Sequence, residues 1–353
     1  ASALEILQKC GADPIVFSIA GEPTTDRIAS LSVQAREQGC DYVVAIGGGS
    51  VIDAGKAIAA LLTNRRDLMD YLEVIGKGEP LSEDPAPCIA IPTTAGTGAE
   101  VTRNSVLHSI EHKVKVSMRH PKMLPTVALV DPELTRSMSE EVTASTGLDA
   151  FTQLLEAFVS IKANPLTDAI CREGLSRVSH SLYRAFTNGN DIQARTDMAL
   201  GSLFGGLALA NSGLGAVHGF AGPIGGMFEA PHGMVCASLL PAVVETNIEA
   251  MVERDPKNPA LAKYLEAAQI VTGHKNASTE DLVLWIKDLS IQLFIPGLEA
   301  FGIKEDRFPA IIEKSKNASS MKGNPIALTD QELEGTLSES MAPPYNGDST
   351  LYL

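Results

Sequence analysis

Residues 42–56 read Y-V-V-A-I-G-G-G-S-V-I-D-A-G-K. The run 42–46 is apolar without alternation, the pattern of a strand buried on both faces in a parallel sheet. It stops at Gly47, Gly48 and Gly49. A helix is expected over about 51–63, where Val51, Ile52, Ile58 and Leu61 supply the apolar positions. Glycines between a buried strand and a helix let a ligand approach the backbone, and the free N–H groups and positive dipole end of the helix favour a phosphate. This is the physical content of a pyrophosphate site, although a bare glycine triplet also makes a tight turn. The order matches neither G-x-G-x-x-G nor the Walker pattern, so Lys56 is not read as a nucleotide-triphosphate lysine.

Working outward, residues 15–19 (IVFSI), 88–92 (CIAIP) and 126–130 (TVALV) give further strand-length apolar runs, and 27–38 has helical polarity. Alternation of such strands with helices implies a mostly parallel sheet covered on both faces. Residues 104–109 and 112–118 read as a polar hairpin. Beyond Asp131-Pro132 the strand signal gives way to helical periodicity. The expected architecture is an α/β, Rossmann-like domain over 1–135 and an all-α domain over 136–353. The clearest helix there is about 148–160, with Phe151, Leu154, Leu155, Phe158 and Val159 on one face and Asp149, Thr152, Gln153 and Glu156 on the other. Residues 1–10 already read as helix, as if a preceding segment were absent, and the tail with Pro343, Pro344 and Gly347 is loop-like.

The 353 residues are 44% hydrophobic and 20% charged, a globular composition for which two domains are the sensible expectation. A net charge of −15, spread along the chain, argues against nucleic acid, which needs clustered Lys and Arg. Cys10, Cys40, Cys88, Cys171 and Cys236 are odd in number and widely spaced, which favours reduced thiols in a cytoplasmic protein. No run approaches about 18 consecutive apolar residues, and no charged-then-apolar leader opens the chain.

Two further constellations could carry chemistry. I-P-T-T-A-G-T-G-A-E at 91–100 follows an apolar strand and offers the hydroxyls of Thr93, Thr94 and Thr97 beside flexible backbone. Two such loops at the carboxyl ends of adjacent parallel strands mark the crevice where these sheets bind ligands. The other combines G-L-D-A-F-T-Q at 147–153, G-L-G-A-V-H-G at 213–219 and A-P-H-G at 230–233. A single His in a Gly-rich apolar stretch is more often a satisfied core residue. His218 and His232 together with Asp149 match a three-ligand catalytic metal site with a position open for substrate.

The ordered set GGGSVIDAGK, IPTTAGTGAEVT, VALVDPEL, STGLDAFTQ, GLGAVHGFAGPIGG, APHG and GNPIALTD resembles the iron-containing (group III) alcohol dehydrogenase family, whose fold is that of dehydroquinate synthase. The resemblance implies that Gly48, Gly49 and Ser50 bind the pyrophosphate of NAD or NADP, that Thr93, Thr94 and Thr97 line the rest of its site, and that Asn104 and Lys115 help hold the nicotinamide side. It implies that Asp149, His218 and His232 ligate a divalent metal, iron or zinc. The family's fourth ligand, usually His, is Gln153 here, a weak or absent ligand, and a second family histidine near the nicotinamide is replaced by Gly222. It further implies an alcohol or aldehyde substrate, hydride transfer, and a homodimer meeting through edge elements of the first domain. The family's first strand, whose end separates NAD from NADP, is expected before residue 1. The competing readings on this scaffold are a metal-free reductase of the maleylacetate reductase type, a lyase like dehydroquinate synthase, and a decayed dinucleotide-binding homologue.

Overall fold

The computed structural model describes residues 3–228 and 230–344. In chain order the elements are α1 (Ala3–Lys9), α2 (Thr25–Glu37), β1 (Val43–Gly47), α3 (Gly49–Thr63), the one-turn α4 (Leu68–Tyr71), β2 (Cys88–Pro92), β3 (Asn104–Ser109), β4 (Val114–Arg119) and β5 (Val127–Ala128). Helices alone follow: α5 (Glu140–Val159), α6 (Pro165–Thr187), α7 (Ile192–Ser212), α8 (Ala216–Met227), α9 (His232–Arg254), α10 (Pro259–Thr272), α11 (Thr279–Gln292), α12 (Phe308–Asn317) and α13 (Asp330–Glu339), with short 3₁₀ turns between some of them.

Strands β1, β2 and β5 form a parallel sheet in the order β1-β2-β5, and β3 pairs with β4 as an antiparallel hairpin. Helix α3 packs tightly on β1 because its contact residue is Gly55, where a Cβ would stand 2.6 Å from that of Ala45. The α/β region and the helical bundle that follows are as the sequence implies. Three local expectations are corrected. Residues 15–19 lie in irregular chain, not a strand; apolar composition alone does not make a ladder when no neighbour pairs with it. The run at 126–130 supplies only the two-residue β5. The sheet is not covered on both faces by the described residues: α3 lies over Val43 and Ala45, whereas Ile46, Val127 and Leu129 are exposed on the other side. Pro343 and Pro344 are loop, and Gly347 lies outside the described residues.

Helix α5 begins eight residues before the periodicity suggests, capped by Ser139, whose hydroxyl accepts the Val142 N–H. It passes through the centre of the bundle. Phe151, Leu154 and Phe158 pack with Leu175 and Val178 of α6, Phe220 of α8 and Leu239 and Leu240 of α9 in one large core. Its polar face is buried too, with Asp149 at 1%, Gln153 at 3% and Glu156 at 6% exposure. A helix buried all round needs internal partners for its polar groups. Helix α9 is long and apolar enough to cross a membrane, but most of it is core of this bundle.

Candidate metal centre and cofactor cleft

Both sequence-named loops leave the carboxyl ends of neighbouring strands and meet. Gly47 closes β1 and its carbonyl accepts the Thr93 N–H at 2.9 Å. Gly48 is the N-cap of α3, with no side chain of its own to satisfy the first helical N–H groups. A Cβ there would reach 3.4 Å from the Thr94 side chain, and one at Gly49 would reach 2.8 Å from Thr97 Oγ1. The loops thus touch where the free helix N–H groups stand, an arrangement suited to a phosphate. Lys56 faces away: it is 1% exposed, pairs with Asp53 Oδ1 at 2.8 Å, and donates to the Ala99 carbonyl and Thr102 Oγ1. Asp53 in turn accepts the Val106 N–H, so this pair fastens the hairpin to α3.

The Thr-rich loop also abuts the helical bundle. A Cβ at Gly96 would stand 2.7 Å from Thr146 of α5, and one at Gly98, where φ is +58°, would strike Gly206 of α7. Thr146 is one turn before Asp149, so the loop lies against the helix that carries the buried carboxylate. Asn104 opens β3 beside Ser105, whose hydroxyl donates to the Asp53 carbonyl on α3. Lys115 on β4 forms an ion pair with Glu22 and lies against Gly225 of α8.

Asp149, His218 and His232 converge from α5, α8 and α9. His218 Nε2 lies 3.3 Å and His232 Nε2 3.8 Å from the same carboxylate oxygen, Asp149 Oδ1. Cys236, one turn after His232, brings its Sγ to 3.7 Å from His232 Nε2. Ligand atoms of all four residues lie within 4.8 Å of one another. Asp149 Oδ1 and His218 Nε2 are buried side-chain atoms without a hydrogen-bond partner. Buried polar atoms without partners cost about 1–3 kcal/mol each, so two pointing at one place describe a cradle for a cation. Although Asp149 lies on the polar side of its helix, it is buried and not a solvated carboxylate.

The surrounding groups aim these donors. Glu156 accepts from His218 Nδ1 at 2.6 Å through one oxygen and from the Val217 N–H at 2.7 Å through the other, which leaves His218 Nε2 facing the cradle. Gln153 donates to Asp149 Oδ2 at 3.2 Å, which leaves Oδ1 free, while its own Oε1 is a third buried atom without a partner. Asn324, in the late GNPIALTD stretch, accepts the Ala216 N–H and so caps α8. Gly215 has no room for a Cβ, which would lie 2.9 Å from both Asn324 and Glu156 oxygens. Gly233 lets α9 start directly against the Ser145 carbonyl of α5.

The charges are mutually supporting. Burial alone would raise the Asp149 carboxyl, but the two imidazoles hold it below the usual range. Burial opposes a charged His218, yet Cys236, Glu156 and Asp149 push it well above the ordinary imidazole value. Cys236 raises His232 likewise, and the imidazoles lower the Cys236 thiol against the effect of its burial. Glu156, Cys236 and Asn324 have no assigned role in the sequence reading. The signal for Glu156 and Cys236 was helical spacing, since Glu156 follows Asp149 by seven residues on α5 and Cys236 follows His232 by four on α9.

Two family models cover nearly the whole chain: iron-containing alcohol dehydrogenase over residues 1–132, and the C-terminal region of the Fe-containing alcohol dehydrogenase family over 143–341. The chain belongs to the iron-containing alcohol dehydrogenase family. It is 35% identical over 338 residues to 1,3-propanediol dehydrogenase of Klebsiella pneumoniae, spanning 94% of this chain and 84% of the relative. Among solved structures, a 1,3-propanediol oxidoreductase matches with a TM-score of 0.87 at 33% identity, over 96% of this dehydrogenase and 87% of that chain. The sulfoacetaldehyde reductase of Bifidobacterium kashiwanohense, solved in complex with NAD+, matches with a TM-score of 0.81 at 28% identity, over 92% and 82%. At Gly222, four residues after His218, a Cβ would meet nothing within 4 Å.

Proposed function

We propose that this dehydrogenase interconverts an alcohol with an aldehyde or ketone, using NAD or NADP bound above Gly48, Gly49 and Ser50 and a divalent metal, iron or zinc, held by Asp149, His218 and His232. The observation that carries the metal assignment is the pair of buried, unpartnered atoms Asp149 Oδ1 and His218 Nε2, with His232 Nε2 beside them. One carboxylate and two imidazoles fit a borderline divalent ion. When bound, the metal supplies Lewis acidity toward the substrate oxygen and the nicotinamide carries the hydride.

The chain's own residues do the positioning. Glu156 fixes the His218 ring, and Gln153 fixes the Asp149 carboxylate. Thr93, Thr94 and Thr97 line the cofactor cleft, and contact of their loop with Thr146 registers the cofactor side against the metal side. Asn104 and Lys115 are assigned to the nicotinamide end. No imidazole stands at Gly222, so the space there admits water, and the proton leaves through that water or a ribose hydroxyl. We place the junction between the cofactor domain and the helical domain at residues 135–136, where the 3₁₀ turn Pro132–Thr135 leads into α5. Five free cysteines support a cytoplasmic setting.

Nicotinamide absorbance with a panel of primary alcohols and aldehydes tests the activity, before and after chelation. Turnover that is lost on chelation and restored by Fe²⁺ or Zn²⁺ is the expected result. Turnover unchanged in fully metal-stripped protein would favour the metal-free reductase reading.

A further inference from the structure

We propose that Cys236 is the fourth protein ligand of the metal, taking the place left by Gln153, and that it turns the site toward zinc. This rests on the reading that Asp149, His218 and His232 hold a divalent ion.

The geometry is that of one coordination sphere. Zinc bonds are about 2.0–2.1 Å to imidazole nitrogen, 2.0–2.2 Å to carboxylate oxygen and 2.3 Å to sulfur, so a tetrahedron spaces N and O by ~3.3 Å and N and S by ~3.6 Å. The separations here are 3.3 Å and 3.8 Å from the imidazoles to Asp149 Oδ1, and 3.7 Å from Cys236 Sγ to His232 Nε2. The same His232 nitrogen therefore faces both the carboxylate oxygen and the sulfur. That is expected where three donors point at a common centre. Helix α9 imposes this, because residues four apart share a face and His232 and Cys236 are so spaced.

The Gln153 amide is turned so that its nitrogen, not its oxygen, meets the Asp149 carboxylate. Its amide N–H₂ donates to Asp149 Oδ2, and its Oε1 lies by Gly205 of α7. Cys236 is fully buried with its sulfur inside the cluster, unlike Cys88 and Cys171, which lie outside it. A thiolate brings a second negative charge beside Asp149, so the pair balances a divalent cation in a place where uncompensated charge is costly. Soft sulfur favours zinc over ferrous iron, whereas an all-nitrogen and oxygen set does not discriminate in this way. With four protein ligands, a substrate oxygen would have to join as a fifth.

The experiment uses the full chain, stripped by chelation and titrated with Co²⁺ and then Zn²⁺, in wild type, Cys236→Ser and Cys236→Ala. Wild type should show cobalt d–d bands together with a near-ultraviolet thiolate-to-cobalt charge-transfer band. Both variants should keep d–d bands from the remaining ligands and lose the charge-transfer band, and Zn²⁺ affinity should fall by ~10-fold or more. The Zn²⁺ over Fe²⁺ preference should shrink with it. Cobalt bound by wild type without the charge-transfer band, or a band that survives in both variants, would overturn the Cys236 assignment and leave the three-ligand reading standing. Absence of any cobalt binding by wild type would overturn both.

Discussion

Glu156 reaches two groups at once, the His218 ring and the first turn of α8. Outer partners of this kind typically govern metal affinity by about 10–100-fold. Glu156→Gln can still accept the Val217 N–H but loses the charged bond to the ring. Its Zn²⁺ affinity, followed with a chromophoric chelator, should fall within that range while the melting profile stays close to wild type; an unchanged affinity would remove Glu156 from the metal's support. The acid side of the same site sets a pH dependence. Ligands must be deprotonated to bind metal, and in the ion-free protein His218 and His232 are both held above the ordinary imidazole value. A raised value favours the protonated form, so protons compete with metal even near neutrality, and apparent affinity should climb steadily as pH rises from about 5 to 8. Isothermal titration at several pH values checks this, and a flat profile would contradict it. At this scale the sequence displayed Asp149, His218 and His232, because Gly-rich contexts and a shared carboxylate mark them. It did not display Glu156 or Cys236, whose types are common on helices and whose meaning depends on which helices α5 and α9 face.

The elements add constraints that no single residue carries. A Cβ at Gly48 stands at 3.4 Å from Thr94, an ordinary contact, and the Gly48 φ of −73° suits any residue. Gly48→Ala should therefore fold normally but crowd the phosphate away from the α3 N–H groups. Loss of one charge-assisted hydrogen bond costs about 1.5–3 kcal/mol, and NADH fluorescence titration should show a matching loss of roughly ten- to hundredfold. Gly49→Val should be more severe, since its Cβ must also displace Thr97. If Gly49→Val stays folded and binds dinucleotide as tightly as wild type, the pyrophosphate assignment is wrong. Lys56 tests the scaffold rather than the chemistry. Lys56→Met leaves the partly buried Asp53 carboxylate, 14% exposed, and two acceptors without their cation, and should lower stability by about 2–3 kcal/mol in urea unfolding, less than the loss of a fully buried pair. A loss under about 1 kcal/mol, the size typical of surface pairs, would mean the pair does not fasten the hairpin. The strand and helix pattern around residues 42–63, the hairpin and the change to helices after residue 132 were readable because period and punctuation agree there. Residues 15–19 misled because strand identity needs a pairing partner, and α5 was longer and more buried than its pattern suggested because the bundle encloses it on every side.

At the scale of the whole molecule, β5 is an edge strand of the sheet, with exposed apolar side chains at Val127 on it and Leu129 just after it, the kind of edge that proteins cover by association. We expect a homodimer using such edge elements. Light scattering at micromolar concentration should return twice the chain mass, and a monomer would remove the expectation. On the proposed function, turnover depends on a metal held by Asp149, His218 and His232 from three helices. Metal titration of wild type and His232→Ala, with dehydrogenase rates measured on the same samples, tests it most directly. His232 is at the first turn of α9 and partly exposed, so its loss should leave the fold intact. His232→Ala, left with Asp149, His218 and Cys236, should bind metal far more weakly than wild type and lose turnover while still binding NAD(H); full metal content and activity in that variant would contradict the assignment.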